Sequence, residues 1–229
     1  MDRQMLKINK LMKKLKVFLI VLLSAFILLG LSILAFGGWN VYFSHRFLIA
    51  LAMITLALTL VSLFTEGNLN SGQKEDRKNR WVFIAFSLIG LGVAIVPAYM
   101  DRLGIGIING QAIPWIGIIL YTSGCILRIG PVFVLKERFS GLVAIQNNHT
   151  LETQGIYGLV RNPSYLGIII SIFGWGLVFY NWFGIFMAFI VLIPIVSRIK
   201  SEEQLLKDYF GSQYEDYVLH TWRLFPWIY

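Results

Sequence analysis

The chain has 229 residues, of which 57% are hydrophobic and only 14% charged, with a formal net charge of +8. At a mean hydropathy of +0.69 it is far more apolar than a soluble domain, in which about a quarter of residues carry charge, so a water-soluble globular protein is excluded and a polytopic membrane protein expected. The basic residues lie in short blocks between apolar runs, with no basic face carrying interleaved aromatics. That argues against nucleic acid and for membrane lipid headgroups as the anionic neighbours.

In chain order, apolar runs over Val17–Phe36, Phe47–Phe64, Trp81–Met100 and Ile113–Leu135 each approach or exceed the roughly 20 residues that a membrane-crossing helix needs. The first exceeds the ~7–15 apolar residues of a signal peptide and is read as a retained span. Two shorter runs, Ser164–Tyr180 and Phe183–Ser197, are joined only by Asn181 and Trp182 and predict a tight helical hairpin. The expected fold is therefore an all-α, polytopic transmembrane helical bundle of about six spans, with a C-terminal hairpin and a cytosolic C-terminal region, to which the resemblance described below assigns catalysis. Residues 1–135 would form the N-terminal transmembrane helices and 136–229 the functional core. Cys125 is the single cysteine, and His45, His149 and His220 are scattered, so neither a disulfide framework nor a metal site is expected.

Loop charges orient the chain. Arg3, Lys7, Lys10, Lys13, Lys14 and Lys16 precede the first run, Lys74, Arg77, Lys78 and Arg80 follow the second, and Lys136, Arg138 and Arg161 follow the fourth; the alternate connections hold little more than Arg46 and Arg102. Basic loops stay cytoplasmic, so both termini and residues 136–161 are expected on the cytosolic side, at the cell membrane if the chain is bacterial. Arg128, a cation near the cytosolic end of its run, is expected either to snorkel or to pair within a cytosolic site. The closing aromatics Trp222, Phe225, Trp227 and Tyr229 suit an interfacial anchor.

The stretch "GIYGLVRNPSYLGIII", Gly155–Ile170, sets a polar knot directly before an apolar run. Read locally, Asn162 is a favoured helix N-cap and Pro163 suits the first turn, where an N–H would have no partner. Downstream, "SRIKSEEQLLKDYF" has Ser201 and Gln204 at capping-box spacing, which, again read locally, suits a weakly amphipathic surface helix on which Glu202 and Glu203 would be solvated. A hairpin nevertheless brings the two polar segments close together.

The order "HTL…GIY…VRNPSYLG", an apolar hairpin, "R…SEEQLL…YFG..Y..Y" and "RLFPWI" resembles the isoprenylcysteine carboxyl methyltransferase and phospholipid methyltransferase superfamily, over roughly Gln146 to the C-terminus. The first three runs carry no such motif. The resemblance implies an integral-membrane enzyme that binds S-adenosylmethionine without a Rossmann domain, and the chain has no glycine-rich strand-to-helix turn of that kind. Carried over, it implies cofactor contacts from Gln146, His149, Thr150, Leu151, Tyr157, Asn162, Pro163, Ser164 and Tyr165. Arg198 and Glu202 would lie on the acceptor side with Glu203 beside them. Asn162 stands where the family usually has His, and an amide cannot become a cation; Glu152 stands where an apolar residue is common.

Methyl transfer from a sulfonium is an in-line displacement, so such a protein mainly aligns donor and acceptor and excludes water. A carboxylate acceptor is already ionised at neutral pH and needs only a cation such as Arg198 to hold it. An amine acceptor must first lose a proton, for which Glu202 or Glu203 is a candidate base. The expected partners are thus a lipophilic small molecule or lipidated substrate and membrane lipids. A prenylcysteine-type carboxylate is the first reading of the acceptor, and a phosphatidylethanolamine-type amine the alternative. A membrane reductase of related architecture using NADPH, and a noncatalytic membrane protein or transporter, stand as further alternatives.

Overall fold

The computed structural model describes residues 3–64, 74–75, 81–135, 144–145 and 150–229. Helices α1 (Arg3–Phe36), α2 (Trp39–Tyr42), α3 (Arg46–Ser62), α4 (Trp81–Leu103) and α5 (Ile113–Leu135) are followed by a 3-10 turn (Gly155–Gly158) and by α6 (Pro163–Val178), α7 (Trp182–Ile190), α8 (Leu192–Phe210) and α9 (Ser212–Leu219). Two-residue strands β1 (Lys74–Glu75) and β2 (Ala144–Ile145) pair antiparallel. Among the described residues, four helical stretches are long and apolar enough to cross a membrane: Phe18–Phe36, Trp81–Leu103, Ile113–Leu135 and Trp182–Phe210, the last combining α7 and α8. α3 and α6 are apolar but shorter. The chain is a polytopic all-α membrane bundle.

The predicted second arm, Phe183–Ser197, breaks at Val191 between α7 and α8 and then continues well past Ser197. The expected surface helix capped by Ser201 does not form separately. α8 runs uninterrupted to Phe210, Ser201 lies in its interior, and Gln204 donates to Asp208 Oδ1 (2.8 Å) one turn on rather than reaching back to a cap. Pro194 causes no break, because it lies in the first turn of α8, where its missing N–H has no intrahelical partner to lose. Buried Ile195 and Ile199 before Ser201, and buried Leu205 after it, keep the helix packed on both sides of the would-be cap.

α5 and α6 make the most extensive pairing in the bundle. Gly117 and Gly124 on α5 face Gly167 and Gly174 on α6, so the two backbones touch. A Cβ at Gly117 would lie 2.6 Å from Val178 N and 2.7 Å from Gly174 O, and one at Gly167 would lie 2.5 Å from Arg128 N. Contact of this kind is how membrane helices gain packing energy where lipid removes the hydrophobic drive. The turn from α6 to α7 is tied to the connection between α4 and α5. Buried Asn181 accepts from Phe183 N (2.9 Å) as the cap of α7 and donates to Ile105 O (2.8 Å).

One core cluster, including Leu29, Phe36, Tyr42, Leu48, Tyr121, Trp175 and Phe179, joins α1, α2, α3, α5 and α6. A second gathers Tyr165, Ile169, Val191, Ile195, Ile199 and Leu224, and so packs the C-terminal tail against α6 and α8.

Gly117→Ala is expected to destabilise the protein by roughly 1–3 kcal/mol, because the atoms that it meets are backbone and cannot swing aside. Gly130→Ala, with nothing within 4 Å of the added carbon, should be neutral or stabilising by up to about 1 kcal/mol. Thermal unfolding of both variants in one detergent checks this, and equal midpoints would contradict it.

Candidate functional site

The start of α6 is held from three sides. Leu159–Arg161 pairs with the tail as a short parallel bridge, with Arg161 N–H donating to Trp222 O (2.8 Å) and Trp222 N–H to Leu159 O (3.0 Å). Asn162 occupies the N-cap position and Pro163 opens the helix, as expected. The Asn162 side chain, however, does not cap: only its backbone carbonyl accepts the first helical bonds, from Tyr165 N and Leu166 N (3.2 Å each). Its Nδ2 instead donates to Arg223 O (3.0 Å), because the tail lies close enough to compete for the amide. From the α5 side, the Ser164 hydroxyl donates to Arg128 O (3.1 Å) and accepts from Arg128 Nη1.

From the α8 side comes the acidic pair. Tyr165 OH donates to Glu202 Oε1 (2.7 Å), and Arg198 Nε donates to the same oxygen (2.9 Å) from one turn earlier on α8. Arg198 is buried, 5% exposed, with its guanidinium carbon 5.2 Å from the centre of the Phe83 ring. Glu203 turns to other partners. Its Oε1 accepts from Arg161 Nε (3.1 Å), and its Oε2 accepts from Arg223 Nε (2.8 Å) and pairs with Arg223 Nη2 (2.7 Å). Arg161 Nη1 also donates to Val218 O and Thr221 Oγ1 (3.2 Å each) and to Thr221 O. Arg223 Nη1 donates to Tyr229 OH (2.6 Å). The hydrogen bond to Glu203 holds the Arg223 guanidinium even further above its ordinary basicity.

Arg128, Arg161, Asn162, Ser164, Tyr165, Arg198, Glu202 and Glu203, but not the tail residues Trp222 and Arg223, line one cavity of about 720 Å³, within the range of small-molecule sites. One end is polar, with Arg128, Tyr157, Arg161, Asn162, Tyr165, Arg198, Glu202, Glu203, Tyr214 and Tyr217, and with Phe83 beside Arg198; the other is apolar, with Leu28, Phe86, Val93, Ile172 and Trp175. Tyr217 OH donates to Tyr157 O (2.7 Å). Burial pushes the Tyr217 phenol up to about 12 and Tyr214 higher still, so near neutral pH both are uncharged.

Of the residues singled out from sequence, Tyr157, Asn162, Pro163, Ser164, Tyr165, Arg198, Glu202 and Glu203 line this cavity. Thr150 does not, and Leu151 belongs to a separate shallow depression with Thr153, Asp216 and His220. Gln146 and His149 lie outside the described residues. Arg128, left open between snorkelling and pairing, bonds Ser164 at the cavity wall. The aromatics of α4 were not anticipated; Tyr214 and Tyr217 of α9 and Arg161 lie within the motifs that carry the resemblance but had been given no place in the site, Arg161 being counted as a loop charge. Among the described residues no group of three or more His, Cys, Asp or Glu side chains could hold a metal ion.

Residues 112–213 match the phospholipid methyltransferase family, beginning at α5, upstream of the recognised motifs. The chain is 37% identical over 97 residues to a protein-S-isoprenylcysteine O-methyltransferase of Schizosaccharomyces pombe (41% of each chain). It is 34% identical over 105 residues to protein-S-isoprenylcysteine O-methyltransferase B of Arabidopsis thaliana (44% of this chain, 53% of the relative). It is also 29% identical over 114 residues to a steroid 5-alpha-reductase of Solanum lycopersicum (50% of this chain, 42% of the relative). The chain thus spans about half the length of the curated relatives that it matches.

Asn162→Ala, which leaves the Arg223 carbonyl without its donor, should cost about 1 kcal/mol. Asn162→His keeps a ring N–H and should cost less. Thermal unfolding distinguishes them, and equal losses would show that the amide bond does not matter.

Proposed function

With residues 112–213 in the phospholipid methyltransferase family, we propose that the chain is an integral-membrane methyltransferase that moves a methyl group from S-adenosylmethionine to a lipid-like acceptor, first among these the carboxylate of a prenylcysteine-type substrate. The observation that carries this reading is the single cavity whose polar end, with Tyr165, Arg198 and Glu202, continues into an apolar end between α4 and α6. A polar cofactor head and a lipid chain need such a junction. The chain would cross the membrane about six times, α6 and α7–α8 forming a hairpin, with both termini and the polar end of the cavity on the cytosolic side. The functional unit is residues 136–229 together with Arg128 of α5.

The donor set fits the cofactor. Its ammonium and carboxylate call for a carboxylate and a guanidinium, which Glu202 and Arg128 supply, and its adenine for an aromatic wall, which Tyr157 or Tyr165 supplies. Asn162, Pro163 and Ser164 would complete that wall; Gln146, His149, Thr150 and Leu151 are assigned there by resemblance alone. Bound in this cavity, S-adenosylmethionine supplies a methyl group on an electrophilic sulfonium.

Everything else asked of the protein is alignment and exclusion of water. Arg198, aimed by its Nε bond to Glu202, holds an acceptor carboxylate, and Phe83 and Phe86 keep water from it. An ionised carboxylate attacks directly and yields no proton, so no base is used. An amine acceptor would require Glu202 to take up a proton. The similarity to a steroid 5-alpha-reductase is the one observation that favours a second reading, a reductase using NADPH.

Calorimetric titration of the purified protein with S-adenosylhomocysteine and, separately, with NADPH decides between them: binding of the homocysteine product is expected, and binding of the dinucleotide alone would overturn the proposal. Arg198→Lys, which keeps the charge but not the planar fork, should lower turnover of a prenylcysteine analogue by roughly 100-fold, about 2.7 kcal/mol, while leaving S-adenosylhomocysteine affinity within a few-fold.

A further inference from the structure

Glu202 and Glu203 are neighbours on α8, yet they face different partners. Glu203 is only 12% exposed at its side chain and lies between Arg161, 3.1 Å away, and Arg223, 2.7 Å away. Arg161 immediately precedes the start of α6. Arg223 belongs to the tail, whose Trp222 pairs with Leu159 and Arg161, whose Arg223 carbonyl accepts from Asn162, and whose Leu224 is buried against Tyr165, Ile195 and Ile199. One carboxylate therefore joins three segments distant in sequence, at the level where Tyr165 meets Glu202.

We infer that Glu203 is a positioning residue for the methyl-transfer site: it latches the C-terminal tail against the start of α6 and so fixes Asn162, Ser164 and Tyr165 relative to Glu202. The inference rests on the methyltransferase reading for its consequence and on geometry for the latch. Both Glu203 oxygens are engaged by guanidinium groups, an arrangement suited to holding rather than to accepting a proton from substrate. Without the carboxylate, two partly buried cations would face each other with nothing between them, and such a removal is strongly destabilising locally. The more exposed cation, Arg223, would be the one to leave, taking with it the tail strand that pairs with Leu159–Arg161. The latch thus makes the tail a structural part of the site, although no tail side chain need touch the reacting atoms.

Three variants test this: Arg223→Ala, Arg223→Lys and Glu203→Gln. Backbone amide exchange at Trp222 and Leu224, read without any ligand, should speed up at least tenfold in Arg223→Ala and in Glu203→Gln, while exchange in α4 and α5 stays unchanged. S-adenosylhomocysteine affinity should weaken about tenfold in Arg223→Ala, or 1.4 kcal/mol, and return to within threefold in Arg223→Lys. Residual turnover of Glu203→Gln should keep the pH profile of the unsubstituted protein. Unchanged exchange at Trp222 in both Arg223→Ala and Glu203→Gln would overturn the latch, and loss of the acid limb of the profile in Glu203→Gln would overturn the positioning role in favour of a base. Failure of the unsubstituted protein to bind S-adenosylhomocysteine would remove the methyltransferase reading and the positioning role with it, while the exchange data still decide the latch.

Discussion

Two carboxylates side by side on a helix that leaves an apolar bundle cannot both be drawn partly out of water unless each is given its own cation, because an unpaired charge away from water is among the most expensive features a fold can carry. Glu202 and Glu203 meet that constraint by dividing the available arginines. Arg198, from the same helix, serves Glu202 together with the Tyr165 hydroxyl, and Arg161 and Arg223 serve Glu203. The rest of the polar end follows from this division. Arg161 draws in the start of α6, Arg223 draws in the tail, and Leu224 is carried into the apolar cluster beneath.

The other half of the arrangement is made within the bundle. The glycines of α5 and α6 let two backbones approach until side chains have no room between them, and this fixes how far α6 projects at the end where Pro163 begins it. Arg128 and Ser164 meet across the same contact. Arg128 of α5 and Ser164, Tyr165, Ile172 and Trp175 of α6 are therefore referenced to one helix pair, as the proposed alignment of a lipid acceptor with a water-soluble cofactor would require. A small shift at the glycine contact would be felt at Tyr165, within one turn of Gly167.

Three of the four long runs, and the convergence of Tyr165, Arg198 and Glu202, were legible in the sequence, because hydropathy sets the former and the tight joint at Asn181 links the helices that carry the latter; the run from Phe47 gives only the shorter α3, and the fourth long stretch is Trp182–Phe210. The local reading of Ser201 as a cap does not hold: a capping box is a local signal, whereas the continuity of α8 goes with burial of Ile195 and Ile199 before that position and of Leu205 after it. Asn162 was placed correctly as a cap position, but its side chain answers to Arg223, 61 residues away. Arg161 was read for the sign of its charge, and its partner Glu203 lies 42 residues on. The glycine spacing on α5 and α6 was present in the sequence and went unused, since an isolated glycine in an apolar run has no single meaning until its partner helix is known.

The central claim is that cofactor and acceptor meet in the one cavity between α4, α5, α6 and α8. Its most direct test is an experimental structure of the protein with S-adenosylhomocysteine and a prenylcysteine analogue bound together. The account predicts the homocysteine moiety beside Arg128, Tyr165 and Glu202, the analogue's carboxylate at Arg198, and its chain running along Phe83 and Phe86. Density for the homocysteine in the shallow depression beside His220, or on opposite sides of the bilayer from the analogue, would contradict it.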